Sequence, residues 1–222
     1  MKVTTDSCLF GAWVANDLIK GNQSKTLLDI GAGTGLLSLM IVQKNSTLTI
    51  DALEIDKQTV IEATENINQS PWKENINILN DDLLNFASQH KYDLIISNPP
   101  FYENELKSGD EQKNTAHHDN QLSFDFLFQF IRSTLSDDGF FYLLLPYKRM
   151  KEIEILINKN QLNLAEKVFV RQSVNHDYFR IMIKGRLRET NNEKVTELSI
   201  KDSNQQYANE FTELLKDYYL YL

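Results

Sequence analysis

Three of the chain's eight glycines, Gly31, Gly33 and Gly35, stand within one five-residue stretch. Ahead of them Thr26-Leu27-Leu28-Asp29-Ile30 is apolar and of strand length, and behind them residues 36–43 read as a helix. A glycine turn from strand into helix commits this part of the chain to an α/β connection, and the remaining sequence repeats the alternation. Residues 48–53 form the next predicted strand. Asp56 then offers an N-cap to a helix whose apolar positions Val60, Ala63 and Ile67 recur at helical spacing. Residues 76–79 are predicted as strand, 83–87 as a short helix and 92–97 as a buried strand. A polar stretch over 102–121 has no periodicity and is predicted as a loop. Helix is expected over 122–135, strand over 139–145 ending at Pro146, and helix over 147–158. Residues 168–170 and 179–187 read as a closing antiparallel pair, and 205–219 as the last helix.

Strands alternating with helices require a mostly parallel sheet covered on both faces. The expected architecture is a Rossmann-like, doubly wound α/β fold, with seven strands in a single domain over residues 1–222. Ligands of such sheets bind beyond the carboxyl ends of the strands, where strand order reverses. The glycine turn lies at that end.

Composition narrows the classes further. With 41% hydrophobic and 24% charged residues the chain folds rather than staying disordered. Its longest apolar run, residues 140–145, is far short of the roughly 18 residues that span a bilayer, and Met1-Lys2-Val3-Thr4-Thr5-Asp6 has no apolar signal-peptide core. No membrane association is expected. A lone cysteine, Cys8, allows no internal disulfide and fits a cytoplasmic protein. His117 and His118 are adjacent, with no Cys or carboxylate cluster to complete a site, so no metal is expected. Acidic residues outnumber basic ones by 31 to 23, a net charge of −8, so a polyanion has to meet a local basic patch.

The glycine spacing is G-x-G-x-G. A dinucleotide fingerprint needs its third glycine at position 36, which is Leu36. Glu54 ends the second strand about 20 residues on, where a carboxylate accepts from both hydroxyls of a ribose. Asp81 and Asp82 end the third strand, placed to meet an adenine amino group; Asp82 is the expected ligand and its neighbour a helix cap. Asp29 supports the loop. Together Asp29, Gly31, Gly33, Gly35, Glu54 and Asp82 resemble the S-adenosylmethionine site of class I methyltransferases.

The fourth strand ends in Ser97-Asn98-Pro99-Pro100-Phe101 and holds two of the chain's four prolines. Prolines fix φ and remove N–H donors, leaving carbonyls turned outward. The Asn98 side-chain oxygen and the Pro99 carbonyl can then both accept from one planar NH2 group, while Phe101 stacks on it and Pro100 stiffens the turn. Those bonds shift electron density onto the nitrogen and align it for methyl transfer by direct displacement. The segment resembles that of methyltransferases acting on adenine N6, the cytosine amino group or a glutamine amide.

A narrower resemblance rests on the ends of the chain. Met1-Lys2-Val3-Thr4-Thr5-Asp6 with Leu9-Phe10-Gly11-Ala12-Trp13 is similar to the opening of the tRNA1(Val) (adenine-37-N6)-methyltransferase family. So are Asn66-Ile67-Asn68-Gln69-Ser70-Pro71-Trp72, the positions Ala116, His118, Leu122 and Ser123, and Leu215-Lys216-Asp217-Tyr218-Tyr219-Leu220 near the end. The resemblance implies methyl transfer from S-adenosylmethionine to adenine N6 in a tRNA anticodon loop, by a monomer. It departs at two points: the family usually carries a short basic and aromatic segment ahead of the Met-Lys-Val, and often arginine where His117 stands. The rivals are a protein glutamine N5-methyltransferase, which normally has a helical recognition domain ahead of the first strand, and a non-catalytic RNA-binding factor on the same fold.

Candidate RNA contacts are fewer. Arg180, Lys184, Arg186 and Arg188 share one face of a period-two strand, either a phosphate stripe or a solvated edge. Lys148 and Arg149 follow Pro146 near the rim, and Lys107 and Lys113 lie in the polar loop. Thr5 and Asp6 are placed to touch the methionine end of the cofactor, with capping of the first helix as the alternative for Asp6. Phe10, Trp13 and Cys8 read as core, and Tyr218, Tyr219 and Tyr221 as docking the last helix.

Overall fold

The computed structural model describes residues 3–19, 25–99, 123–190 and 192–221. Pro100, Phe101, Lys107, Lys113, His117 and His118 therefore lie outside the described residues. The elements in order are α1 (Thr5–Ile19), β1 (Thr26–Ile30), α2 (Leu36–Lys44), β2 (Thr49–Glu54), α3 (Lys57–Asn68), β3 (Ile76–Asn80) and β4 (Tyr92–Ser97). They continue with α4 (Phe124–Thr134), β5 (Leu135–Pro146), a 3-10 turn (Tyr147–Arg149), α5 (Met150–Lys159), β6 (Asn163–Ser173), β7 (Tyr178–Arg186), β8 (Lys194–Lys201) and α6 (Asn209–Leu215). The strands form one sheet in the order β3-β2-β1-β4-β5-β7-β6-β8. Strands β1 to β5 run parallel, β7 is antiparallel to both β5 and β6, and β8 is parallel to β6.

Alternation along each central strand feeds two cores. Leu27, Leu94, Ile96, Tyr142, Leu144 and Met182 pack with α1, α2 and α6, whereas Leu28, Ile30, Ile95, Phe141, Leu143, Ile181 and Ile183 pack with α4 and α5. Burial on both faces is what a covered, mostly parallel sheet requires. The helices follow from caps and periodicity. Asp56 caps α3 by accepting from Thr59 N at 2.8 Å, and the helix buries Ala63 and Ile67 one turn apart. Ser123 caps α4 through Phe126 N, and α4 buries Phe124, Leu127, Phe128, Ile131 and Thr134 along one stripe.

Four expectations need correction. Among the described residues the sheet has eight strands rather than seven: β8 buries only Leu198 and Ile200, too few positions for its period to stand out. Residues 83–87 are not helix but a turn, closed by Asn85 N and Phe86 N donating to the Asp82 carbonyl. Strand β5 begins at Leu135, four residues earlier than the predicted start at residue 139, because Leu135 pairs with Tyr92 across the parallel ladder. The last helix is shorter than expected, and Tyr221, 90% exposed, is not docked against the described residues. Tyr218 does dock, donating from its hydroxyl to the Met40 carbonyl.

Candidate active site at the switch point

Strand order reverses between β1 and β4, and the register sets what meets there. Ile30 is level with Leu53 on one side and with Ser97 on the other. Gly31, Glu54 and Asn98, the next residues along each strand, therefore share one edge. Ser97 Oγ ties the two central strands by donating to the Ile30 carbonyl at 2.8 Å. Glu54 is in turn level with Asn80, which brings Asp81 and Asp82 to the same side.

The loop between β1 and α2 turns on three left-handed glycines, with φ of 72°, 58° and 83° at Gly31, Gly33 and Gly35. At Gly35 a side chain would be strained by that φ and would also stand 3.3 Å from Ile67 Cδ1, so α2 can start against α3 only with glycine there. At Gly31 a Cβ would meet nothing within 4 Å among the described residues, which leaves open space there beside the backbone. Gly31 N and Ala32 N both donate to the Leu53 carbonyl, and Gly33 N donates to Glu54 Oε2 at 2.9 Å. Those three donors are spent on β2, unlike the free N–H groups that cradle a pyrophosphate.

Glu54 accepts once at each oxygen, from Gly33 N and from Asp56 N. A carboxylate has about four acceptor positions, so two remain for further donors once the described residues are counted. Asp82 holds its own turn, Oδ1 accepting from Leu84 N at 3.0 Å, and Asp81 Oδ1 accepts from Asp82 N. Asp29 is fully buried. Its Oδ2 accepts from Ser38 Oγ at 2.7 Å, pinning α2 to β1, while its Oδ1 has no partner among the described residues. Burial pushes the Asp29 carboxyl up to about 7; Ser38 opposes the shift and the charge of Glu54 adds to it.

Asn98 is partly buried and Pro99 buried. The Asn98 amide donates from Nδ2 to Ser7 Oγ on α1 at 2.8 Å, and Ser7 Oγ lies 2.8 Å from Thr4 Oγ1. Nothing in the sequence flags Ser7, because residues 7 and 98 share no local pattern. A second feature the sequence hides is an aromatic cluster at the same sheet edge, Tyr147 with Phe169 and Tyr178 at ring separations of 5.3 to 5.6 Å.

The basic stripe is corrected. Strand β7 is flanked by β5 and β6 and is no edge, and its cations meet carboxylates. Arg180 Nε is 2.9 Å from Asp6 Oδ2, Lys184 Nζ is 2.7 Å from Asp17 Oδ2, and Asp138 receives both Arg186 and Arg188. Asp6 is thereby turned to Arg180 and lies inside the first turn of α1 rather than at its cap. Arg149 pairs with Glu152 and covers the Phe124 ring at 3.9 Å. Phe10, Trp13 and Cys8 are buried core residues as expected. Among the described residues no group of three His, Cys, Asp or Glu could hold a metal ion, and no helix is long and apolar enough to cross a membrane.

Residues 11–118 match the family model of the methyltransferase small domain. A tRNA1(Val) (adenine(37)-N6)-methyltransferase of Dyadobacter fermentans is 34% identical over 99% of this chain and 91% of its own length. Enzymes of the same name from Photorhabdus laumondii and Aliivibrio fischeri are 33% and 37% identical, covering 100% and 99% of the chain and 89% and 91% of themselves. This chain belongs to the tRNA1(Val) (adenine(37)-N6)-methyltransferase family. Solved structures place the fold of this family member among methyltransferases. A predicted O-methyltransferase from Agrobacterium tumefaciens superposes with a TM-score of 0.67 over 95% of each chain at 13% identity. A glycopeptide N-methyltransferase complexed with S-adenosylmethionine superposes with 0.57 at 11% identity, over 80% of this chain and 87% of that one. At such identities the likeness is one of fold alone.

Proposed function

We propose that this chain transfers the methyl group of S-adenosylmethionine to N6 of adenine 37, beside the anticodon of tRNA1(Val). One observation carries the proposal: the chain is similar end to end to enzymes of that activity, and its Asn98-Pro99 pair stands at the switch point beside the glycine loop. The proposal includes a single domain over residues 1–222, acting as a monomer in the cytoplasm.

The residues present fit the cofactor. Open space beside Gly31, spare acceptor positions on Glu54, and loop donors already spent on β2 suit an unphosphorylated nucleoside. In this proposal Glu54 holds the ribose hydroxyls and Asp82 the adenine amino group, while Gly31, Gly33 and Gly35 line the ligand and Asp29 braces the loop through Ser38. Bound S-adenosylmethionine supplies an electrophilic methyl group on a sulfonium whose charge is lost on transfer. The chain's own part is orientation and electrostatics. Asn98 Oδ1 and the Pro99 carbonyl accept from the target amino group, so its lone pair is directed at the methyl. Both are amide carbonyls and too weakly basic to keep a proton, so the amine proton leaves to water after transfer. Pro100 and Phe101 complete the segment, stiffening the turn and stacking on the base.

Two measurements follow. Unmodified tRNA incubated with the protein and methyl-labelled S-adenosylmethionine, then digested to nucleosides, yields labelled N6-methyladenosine. Label confined to protein glutamine, or RNA bound without any transfer, overturns the proposal. Glu54→Ala weakens S-adenosylmethionine by about 100-fold or more, the loss of two hydrogen bonds to a charged acceptor; equal affinity by calorimetry removes Glu54 from the site.

A further inference from the structure

We infer that Ser7 is a positioning residue for the transfer step, holding the Asn98 amide in the orientation that presents Oδ1, rather than Nδ2, to the target amino group. The inference rests on the role proposed above for Asn98. An asparagine amide has two nearly isosteric orientations, related by half a turn about its Cβ–Cγ bond, that exchange an acceptor for two donors. Packing hardly distinguishes them, so hydrogen bonds must. The wrong orientation sets NH2 against NH2 and polarises nothing.

The structure supplies the discriminating contact. Asn98 Nδ2 donates to Ser7 Oγ at 2.8 Å, so Oδ1, on the opposite side of the amide carbon, is turned away from Ser7. A serine hydroxyl alone is a poor arbiter, because it can accept or donate. Thr4 Oγ1 lies 2.8 Å from the same Ser7 Oγ. When Ser7 gives its single proton to Thr4, only lone pairs remain to face Asn98, and a flipped amide would bring oxygen against oxygen. Ser7 is 8% exposed, so water competes little for this contact. Its place is fixed independently of the reaction, since α1 is anchored by Leu9, Phe10, Val14 and Ala15, all fully buried. Thr4, Ser7 and Asn98 thus form a short relay from the helix start to the acceptor.

The relay is tested directly on 15N-labelled protein. The Asn98 side-chain NH2 signals, identified by their loss in Asn98→Ala, should exchange slowly with solvent in the native chain. They should move and exchange quickly in Ser7→Ala, and return toward native positions in Ser7→Thr. Signals that stay the same on Ser7→Ala overturn the inference whatever the substrate proves to be. With tRNA as acceptor, Ser7→Ala lowers kcat about three- to tenfold, the bias of one hydrogen bond, and leaves the KM for S-adenosylmethionine in place. It lowers kcat no further in an Asn98→Ala background. An equal loss in both backgrounds, or a loss that falls on cofactor affinity, assigns Ser7 to structure instead and overturns the role. Thr4→Val, at an exposed position outside the core, gives a smaller loss of the same kind should Ser7→Ala fold poorly. Native protein that holds the amide as described yet methylates no tRNA overturns the substrate proposal and leaves the Ser7 contact standing.

Discussion

Asn98→Ala keeps its affinity for S-adenosylmethionine and loses turnover by about 100-fold or more, equivalent to about 2.7 kcal/mol of transition-state stabilisation. The split follows from where Asn98 stands. Its side chain is held by Ser7 from α1, while the glycine loop, Glu54 and Asp82 sit on the β1–β2–β3 side. Cofactor binding thus proceeds without the amide, whereas the amino group loses the acceptor that directs its lone pair. Single-turnover rates beside calorimetric titration read both quantities. A parallel fall in cofactor affinity would place Asn98 in the cofactor pocket instead. Asn98→Asp is the informative companion: it keeps an acceptor but has no NH2 for Ser7, so it should fall between the native chain and Asn98→Ala.

Asp29→Asn removes a pH dependence of stability worth up to about 4 kcal/mol, the order set by a shift of some three pH units at about 1.4 kcal/mol each. The sign is fixed by the direction of the shift. The Asp29 carboxyl is pushed up to about 7 in the folded chain by burial, against an ordinary 3.8. The folded state therefore holds its proton more tightly than the unfolded state. The contribution is complete below pH 4, erodes as pH rises, and is gone above about pH 7. Native protein should lose stability across that window relative to Asp29→Asn, whose amide carries no charge to bury. Urea midpoints at intervals from pH 5 to 8 decide it; two curves that stay parallel mean Asp29 does not titrate there.

What was legible in the sequence is what needs unusual backbone. Three left-handed positions in five residues demanded glycine, and Asn98 is followed by two of the chain's four prolines, so both halves of the candidate site stood out among rare residues. Glu54 was legible through its distance from the loop, and the order of elements through period and caps, Asp56 and Ser123 among them. Contacts made by common residues across long separations were not. The period-two pattern of β7 put Arg180, Lys184 and Arg186 on one face correctly, but it could not say that Asp6 and Asp17 of α1 would lie over that face. Ser7 beneath Asn98, and Tyr147 beside Phe169 and Tyr178, are meetings of this kind. Strand β8 escaped for a different reason: with two buried residues it resembles a polar connection until β6 gives it a partner.

The β5-β7-β6 order also has a consequence during synthesis. The ribosome releases β6 before β7, yet β6 joins β5 only through β7, which pairs antiparallel with both. Until residues 178–186 emerge, the nascent chain carries an apolar strand β5 with an open hydrogen-bonding side and a β6 with nothing to pair with. Such open sides recruit other chains. Arrival of β7 gives both a partner and lets β8 add to the outer side of β6, about 80 residues of synthesis after the glycine loop and Asn98 are complete.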